Sequence, residues 1–155
     1  VIHYIDKALG SALVSSRPVY AAGLAALDAW ARSSHGHAFT ELSHADRDAV
    51  LTEVEKGTAT GFRGSSTAFF NLVLSHTRQG MFGDPYYGGN ANFAGWDLLG
   101  YPGIRTMVTD ADQKAYEAGT MVPNHKSAYD YETFNKATAS NAGHDHEEHG
   151  DGHQA

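Results

Sequence analysis

Apolar side chains recur at every third or fourth position in several stretches of the chain, which is the spacing of amphipathic helices. This pattern predicts helices over residues 1–9, 19–32 and 44–56. Ser43 stands where it can cap the third helix, and Gly57 stands where a helix commonly ends. The first third of the chain is therefore predicted to be helical and to bury one face of each helix.

Ser65 or Ser66 is predicted to cap a fourth helix, which runs to Gln79. Apolar side chains between residues 69 and 74 cover more than one of its sides, which favours a buried position at the centre of a bundle. Gly80 is predicted to end this helix, because glycine is common immediately after a helix.

Glycine and aromatic residues dominate the next segment, residues 77–103, which we name the aromatic loop. It holds seven glycines, two prolines and six large aromatic residues. Glycine is costly to order, so such a segment keeps one conformation only when other groups fix it. Large rings bury much surface, and we expect them to fix an ordered, non-helical loop. The rings are Phe82, Tyr86, Tyr87, Phe93, Trp96 and Tyr101.

Beyond the aromatic loop the pattern weakens. Thr109 and Asp112 form a capping pair for a short helix over residues 110–118. Residues 120–134 are predicted to be an extended arm, and residues 137–155, rich in His, Asp and Gly, to be disordered. The prediction is a mainly α fold with about four helices in a small bundle, a long ordered loop and an extended C-terminal arm. One domain would span residues 1–136, followed by the tail.

Composition narrows the possible functions. The formal net charge is −7 and cations are not clustered, so a nucleic-acid-binding surface is not expected. Cysteine is absent, which excludes disulfides, thiolate metal sites and covalent c-type haem within these residues. No apolar run has the length of a membrane helix, and no signal segment is recognisable. Phosphate-binding and flavin-binding fingerprints are lacking too, so no catalytic residue and no cofactor of its own are predicted.

The aromatic loop carries the long, irregular pattern T-R-x-G-M-F-x-D-P-x-Y-G-G-N, followed by G-W and G-Y-P-G. In this pattern the chain resembles the small, third subunit of membrane-bound gluconate 2-dehydrogenase, over residues 2 to about 109. The resemblance implies a non-catalytic accessory subunit of an FAD-dependent sugar or sugar-acid dehydrogenase complex. It implies a large flavoprotein partner with FAD, a cytochrome c subunit with haem c, and export by the twin-arginine route. A periplasmic location follows, with the membrane reached only through the complex.

A partner interface is predicted on the aromatic loop and the arm, because aromatic side chains and arginine are favoured at binding hot spots. Two other uses of the loop remain open: a purely structural loop, and an independent small-molecule site. The predicted interface residues are Arg78, Met81, Phe82, Asp84, Pro85, Tyr86, Tyr87, Gly88, Gly89, Asn90, Trp96, Tyr101, Pro102, Tyr129, Tyr131 and Phe134.

Histidines give the sequence two further candidates. His144, His146, His149 and His153 have a spacing with which imidazoles bind Zn, Ni or Cu. They carry the alternative hypothesis of a periplasmic metal-binding protein. His76 has no recognisable catalytic partner and is interpreted as a structural histidine. A third hypothesis is an independent enzyme centred in the aromatic loop.

Overall fold

The computed structural model describes residues 1–134, which contain six complete α-helices, a further helical segment beginning at residue 132, and no β-strand. The mainly α fold is therefore confirmed. Ser43 and Ser65 cap their helices as predicted, each accepting a hydrogen bond from a backbone N–H of the first turn. The helices are α1 Ile2–Leu9, α2 Arg17–His35, α3 His44–Lys56, α4 Ser66–Phe82, α5 Ala94–Leu99 and α6 Asp110–Glu117.

The described residues divide into two compact units. The helical unit consists of Val1–Gly83 with Tyr87–Asn90, and the C-terminal unit consists of Asp84–Tyr86 with the chain from Ala91 onward. The polypeptide passes between them three times within eight residues. Sequence patterns do not predict this division, because no linker or change of composition marks it. The predicted single domain over residues 1–136 stays a prediction.

α2 and α3 supply most of the core of the helical unit. Val50 and Val54, one turn apart on α3, are almost completely buried, and Ala31 of α2 is fully buried. Residues four positions apart share one face of a helix, so α3 turns a single apolar stripe inward. The indole Nε1 of Trp30 donates to the Glu53 carboxylate at 2.6 Å, which ties the two helices together.

α2 and α4 approach each other closely at Gly23. An added Cβ at this glycine would overlap the ring of Phe69 on α4, so only glycine lets the ring lie there. Nearby, His76 is buried and has a structural role, as expected. Its Nδ1 lies 3.0 Å from the Tyr20 hydroxyl, and the two rings stack. Burial, followed by the influence of Tyr4, raises the pKa of the Tyr20 hydroxyl above its ordinary value.

The predicted end of α4 is wrong. The helix continues through Gly80 to Phe82, and Gly80 is buried. An added Cβ there would lie 2.9 Å from Cδ1 of Tyr4, so the glycine permits close packing of α1 rather than stopping the helix. The predicted burial of α4 on several sides is only partly correct, since Phe69 is buried whereas Phe70 remains half-buried.

Two predictions for the second half of the chain also need correction. The aromatic loop was predicted to be non-helical, but it contains helical segments. These are the end of α4, the helix α5 and the short 3₁₀ turns Pro85–Tyr87 and Ala91–Phe93. Of the six rings of this loop, Trp96 on α5 is buried, whereas Phe82, Tyr86, Tyr87 and Tyr101 are exposed. The arm is extended only to Ser127, because the 3₁₀ turn Ala128–Asp130 follows and residues 132–134 are helical. The predicted disordered tail, residues 137–155, lies outside the described residues.

Candidate partner-binding surface

The carboxylate of Asp84 organises the C-terminal unit around the start of the aromatic motif. Its Oδ1 accepts hydrogen bonds from the Ser127 hydroxyl at 2.6 Å and from the backbone N–H of Tyr86 at 2.9 Å. Its Oδ2 accepts from the backbone N–H of Ala128 at 2.8 Å. The ring of Tyr86 stacks on that of Tyr129 with centroids 3.9 Å apart. Three donors occupy this carboxylate, so its observed role is to hold the arm to the motif.

Gly88, Gly89 and Asn90 fold back onto the end of α4 within the helical unit. The N–H of Asn90 donates to the Gly80 carbonyl at 2.7 Å, and its side-chain Nδ2 donates to the Gly83 carbonyl at 3.0 Å. Gly89 has no room for a side chain, since an added Cβ would overlap the Gly80 carbonyl oxygen. Gly88 and Asn90 have positive φ, as expected for such turns. This part of the motif is thus fixed by backbone geometry.

Trp96 is the main buried ring of the C-terminal unit. Only 5% of its surface is exposed, and Phe93 and Tyr101 pack against it with centroids 5.3 and 5.0 Å away. Phe93 adopts a left-handed backbone with φ of 60°, which is rare for an aromatic residue. Its ring stacks on His125, whose Nε2 lies 2.7 Å from Asp97 Oδ1. Trp96 therefore works as a core residue rather than as an exposed contact.

The arm is fastened to the chain that follows Tyr101. The N–H of Asn124 donates to the Pro102 carbonyl at 2.9 Å, and its Nδ2 donates to the Ile104 carbonyl at 3.0 Å. The Tyr131 hydroxyl donates to the same Ile104 carbonyl at 2.8 Å. The backbone passes so close at Gly103 that an added Cβ would overlap the Asn124 carbonyl. The arm and residues 102–104 are thus joined by hydrogen bonds within the C-terminal unit.

An open pocket of about 450 Å³ lies beside these contacts, and we name it the tyrosine pocket. Its apolar walls come from Tyr101, Val108, Tyr116 and Met121. Two further residues, Arg105 and Asp112, form its charged border.

The charged groups of the tyrosine pocket already have partners. Asp112 Oδ2 accepts from the N–H and hydroxyl of Thr109, which completes the predicted cap of α6. These hydrogen bonds, the side-chain one first, lower the pKa of the Asp112 carboxyl below its ordinary value. Arg105 lies 3.6 Å from Asp112 and donates to the Val122 carbonyl at 2.9 Å. Its Nε is buried and lacks a hydrogen-bond partner.

The predicted interface residues fall into three groups by exposure. The exposed ones can offer surface to a partner, and the buried ones can only support it. The exposed residues are Arg78, Phe82, Tyr86, Tyr87, Gly88, Tyr101 and Phe134; the half-buried ones are Met81, Asp84, Pro85, Pro102, Tyr129 and Tyr131; the buried ones are Gly89, Asn90 and Trp96. Contact of any of them with a partner stays a prediction.

Sequence reasoning missed the tyrosine pocket. Its wall residues Val108 and Tyr116 are highly exposed, although both have large apolar side chains. One signal was present in the sequence: Tyr116 is the only aromatic residue of the otherwise polar and small helix DADQKAYE. An isolated large ring on a polar helix indicates either a core contact or a surface contact, and here the ring is exposed.

The described residues contain neither a metal-binding cluster nor a membrane-spanning helix. Within residues 1–134 no group of three or more His, Asp or Glu side chains is placed to hold a metal ion. The candidate ligands His144, His146, His149 and His153 lie outside the described residues. None of the helices in this part of the chain combines the length and the hydropathy required for a membrane span.

Comparison with known proteins connects these features to one family. The family model for gluconate 2-dehydrogenase subunit 3 matches residues 1–103, which include the helical unit and the whole aromatic loop. The match ends at Gly103, so α6 and the arm lie beyond it. Neither the curated proteins nor the solved structures gave a match to the chain.

Proposed function

We propose a non-catalytic, partner-stabilising function, and the premise is that this chain belongs to the gluconate 2-dehydrogenase subunit 3 family. A subunit of this kind implies a multi-subunit dehydrogenase complex. The partner in this proposal is a large flavoprotein subunit, which contains FAD and oxidises gluconate or a related sugar. The small chain contributes a surface to the complex and leaves the chemistry to its partner.

One observation carries the proposal beyond family membership. The polar groups of the motif are used internally: Asp84 holds Ser127 and Ala128, and Asn90 holds Gly80 and Gly83. Their hydrogen-bonding groups are occupied by the chain itself, so a substrate would have to displace these bonds. The rings of Tyr86 and Tyr87 beside them are exposed. A fixed backbone that presents aromatic side chains suits binding to a protein.

Stabilisation follows from mass action. A subunit that binds only the folded form of its partner lowers the free energy of that form, and the gain grows with the subunit's concentration. Rigid aromatic anchors lose little side-chain entropy on binding, which makes them efficient contacts. No redox group of this chain is needed for such a role.

The remaining parts of the proposal concern the setting of the complex. The flavoprotein passes electrons to a cytochrome c subunit with haem c, and the complex is periplasmic and reaches the membrane through its other subunits. The small chain escorts the flavoprotein through twin-arginine export. The family resemblance supports each of these parts, and each is open to test by fractionation of the source cells and by spectroscopy of the purified complex.

The direct test is to produce the flavoprotein with and without this chain in the same host. We expect co-production to raise the yield of soluble, FAD-containing flavoprotein, and the two chains to co-purify in a fixed ratio. Flavin absorbance, subunit ratio and thermal unfolding measure the effect. The chain alone should show no sugar-acid oxidation with an added electron acceptor. Turnover by the isolated chain, or a flavoprotein indifferent to its presence, would contradict the proposal.

A further inference from the structure

We propose that the tyrosine pocket is a docking site for the large dehydrogenase subunit, which fills it with an apolar side chain and surrounds it with lysine or arginine residues. This inference rests on the proposed function, because the partner is taken from it. It adds which surface of the chain is used and what chemistry the partner's surface has.

The apolar walls of the pocket are the first support. Two of the wall residues, Tyr116 and Val108, are each 64% exposed. Exposed apolar side chains that share one concave surface are typical of interaction sites, whereas single ones are common on any protein. Anchoring side chains of interfaces commonly bind in such pockets, with aromatic residues around them.

The polar groups of the pocket argue against a small polar ligand. Arg105 is paired with Asp112 and with the Val122 carbonyl, and the Asp112 carboxylate caps α6 through Thr109. The Nε atom of Arg105 is buried, so a ligand in the open pocket does not reach it. A sugar or an anion would have to compete with these contacts. An apolar side chain needs none of them and gains from leaving water.

Charge indicates what surrounds that side chain. The described part of the C-terminal unit, residues 84–86 and 91–134, contains three Lys or Arg and seven Asp or Glu, a net charge of −4 with His neutral. Of the three cations, Arg105 is paired with Asp112, and Lys126 lies over the ring of Tyr131. Interfaces tend to bring opposite potentials together. A partner surface with basic residues around an apolar centre is therefore the complementary one.

A second apolar groove is not assigned a partner, because the net charge of its unit does not indicate what would bind there. This groove of about 360 Å³ lies in the helical unit and is lined by Leu24, Leu51, Phe70, Val73 and Leu74, among others. The helical unit has seven Lys or Arg and seven Asp or Glu, a net charge of zero. Nothing about this groove indicates the chemistry of an occupant, so no partner is assigned to it.

The test compares two valine-to-glutamate substitutions, made one at a time in the full chain. The affinity of each variant for the flavoprotein is measured. Val108→Glu places a charge in the pocket, and Val14→Glu places the same charge on an exposed valine of the helical unit. We expect Val108→Glu to weaken binding by about tenfold or more and Val14→Glu to change it less than about twofold. Titration calorimetry measures the affinity, and circular dichroism of each free variant verifies that it is folded.

A second measurement tests the charge argument. Raising the salt concentration from about 0.05 M to about 0.5 M should weaken binding of the wild-type chain, because salt screens opposite charges. Glu117→Gln removes one carboxylate of α6 while keeping an acceptor for its Gln113 contact. We expect this variant to associate more slowly and to respond less to salt, whereas Glu55→Gln on α3 should behave as wild type.

The outcomes separate this inference from the proposed function. If the wild-type chain and the flavoprotein do not bind at all, the proposed function fails. If they bind and Val108→Glu binds as well as Val14→Glu, the pocket is not the docking site and the inference fails. It also fails if the wild-type chain forms a dimer that Val108→Glu disrupts while flavoprotein binding is unchanged, because the occupant is then a second copy.

Discussion

Single polar residues hold the aromatic motif together, and Asp84 is the clearest case. Its carboxylate binds a neighbour in the same turn and two groups more than forty positions later in the chain. The sequence holds Asp84-Pro85, a pair that is typical of turns, and the structure contains a turn there. It could not indicate Ser127 as the partner, because a side chain with one hydroxyl can pair with any nearby acceptor. Local chemistry was predictable here, whereas the long-range pairing was not.

Replacing Asp84 with Asn should loosen the arm. The amide of asparagine keeps one oxygen acceptor but lacks the negative charge and the second oxygen. Some of the three donors that bind the Asp84 carboxylate in the wild-type chain would therefore lose or weaken their hydrogen bonds. We expect a loss of about 1–3 kcal/mol in the stability of the C-terminal unit. Hydrogen exchange at the Ala128 amide should accelerate, since that N–H donates directly to the carboxylate.

Glu132→Gln is the matched control for this change, because Glu132 is an exposed carboxylate of the same unit. It should leave exchange at Ala128 unchanged. Equal protection of the Ala128 amide in Asp84→Asn and in the wild-type chain would show that the carboxylate does not hold the arm.

Whole helices were the most predictable level of the structure. α3 has the predicted bounds, and α2 and α6 lie close to theirs, because apolar spacing and capping residues are local signals. One glycine misled the prediction, whereas Gly57 ends α3 as expected. Gly80 was expected to end α4, yet it lies in the helix where α1 packs closely. A sequence does not distinguish a glycine that ends a helix from one that admits a neighbour, since both uses depend on the absence of Cβ.

Gly23→Ala tests the close approach of α2 and α4. In an exposed helix this change would stabilise by about 1 kcal/mol, because alanine has the higher helix propensity. Here the added methyl overlaps the Phe69 ring, so we expect a net loss of about 1–3 kcal/mol in the free energy of unfolding. Urea unfolding followed by far-UV circular dichroism measures it.

A second-site change isolates the cause. Phe69→Leu in the Gly23→Ala background removes the overlapping ring, and we expect the two changes together to cost less than the sum of their separate costs. Additive losses, or a stabilised Gly23→Ala variant, would mean that the ring and the glycine do not interact.

The whole molecule is less predictable than its helices. The described residues form two units whose segments alternate along the chain between Gly83 and Ala91, and no sequence pattern marks this division. Hydrophobic periodicity identifies elements but does not say which elements pack together. The exposed walls of the tyrosine pocket show the same limit, because Val108 and Tyr116 look like ordinary core residues in the sequence. The burial of a side chain was predictable where its contacts are close to it in the sequence. It was not predictable where the contacts come from distant elements.

Two truncations test whether residues 1–103, which the family model matches, fold without the rest of the chain. A chain of residues 1–103 keeps the matched part but loses Ser127, Ala128 and Tyr129, the partners of Asp84 and Tyr86. A chain of residues 1–134 keeps them. In a Trp30→Phe background, Trp96 is the only remaining tryptophan. We expect its fluorescence to be shifted to longer wavelength in the shorter chain, because the ring becomes more hydrated.

The longer truncation should reproduce the fluorescence of the full chain. If residues 1–103 show the same emission and the same near-UV circular dichroism, the arm is not needed to fold the aromatic loop.

The repeated passage of the polypeptide between its two units restricts how this protein can change by recombination. A single crossover can exchange one continuous segment, yet no single cut between Gly83 and Ala91 separates the helical unit from the C-terminal unit. A chimaera joined anywhere in this stretch inherits part of one unit from each parent. Shuffling between relatives is therefore expected to succeed when both parents agree on the short run of residues 83–91, whatever their differences elsewhere.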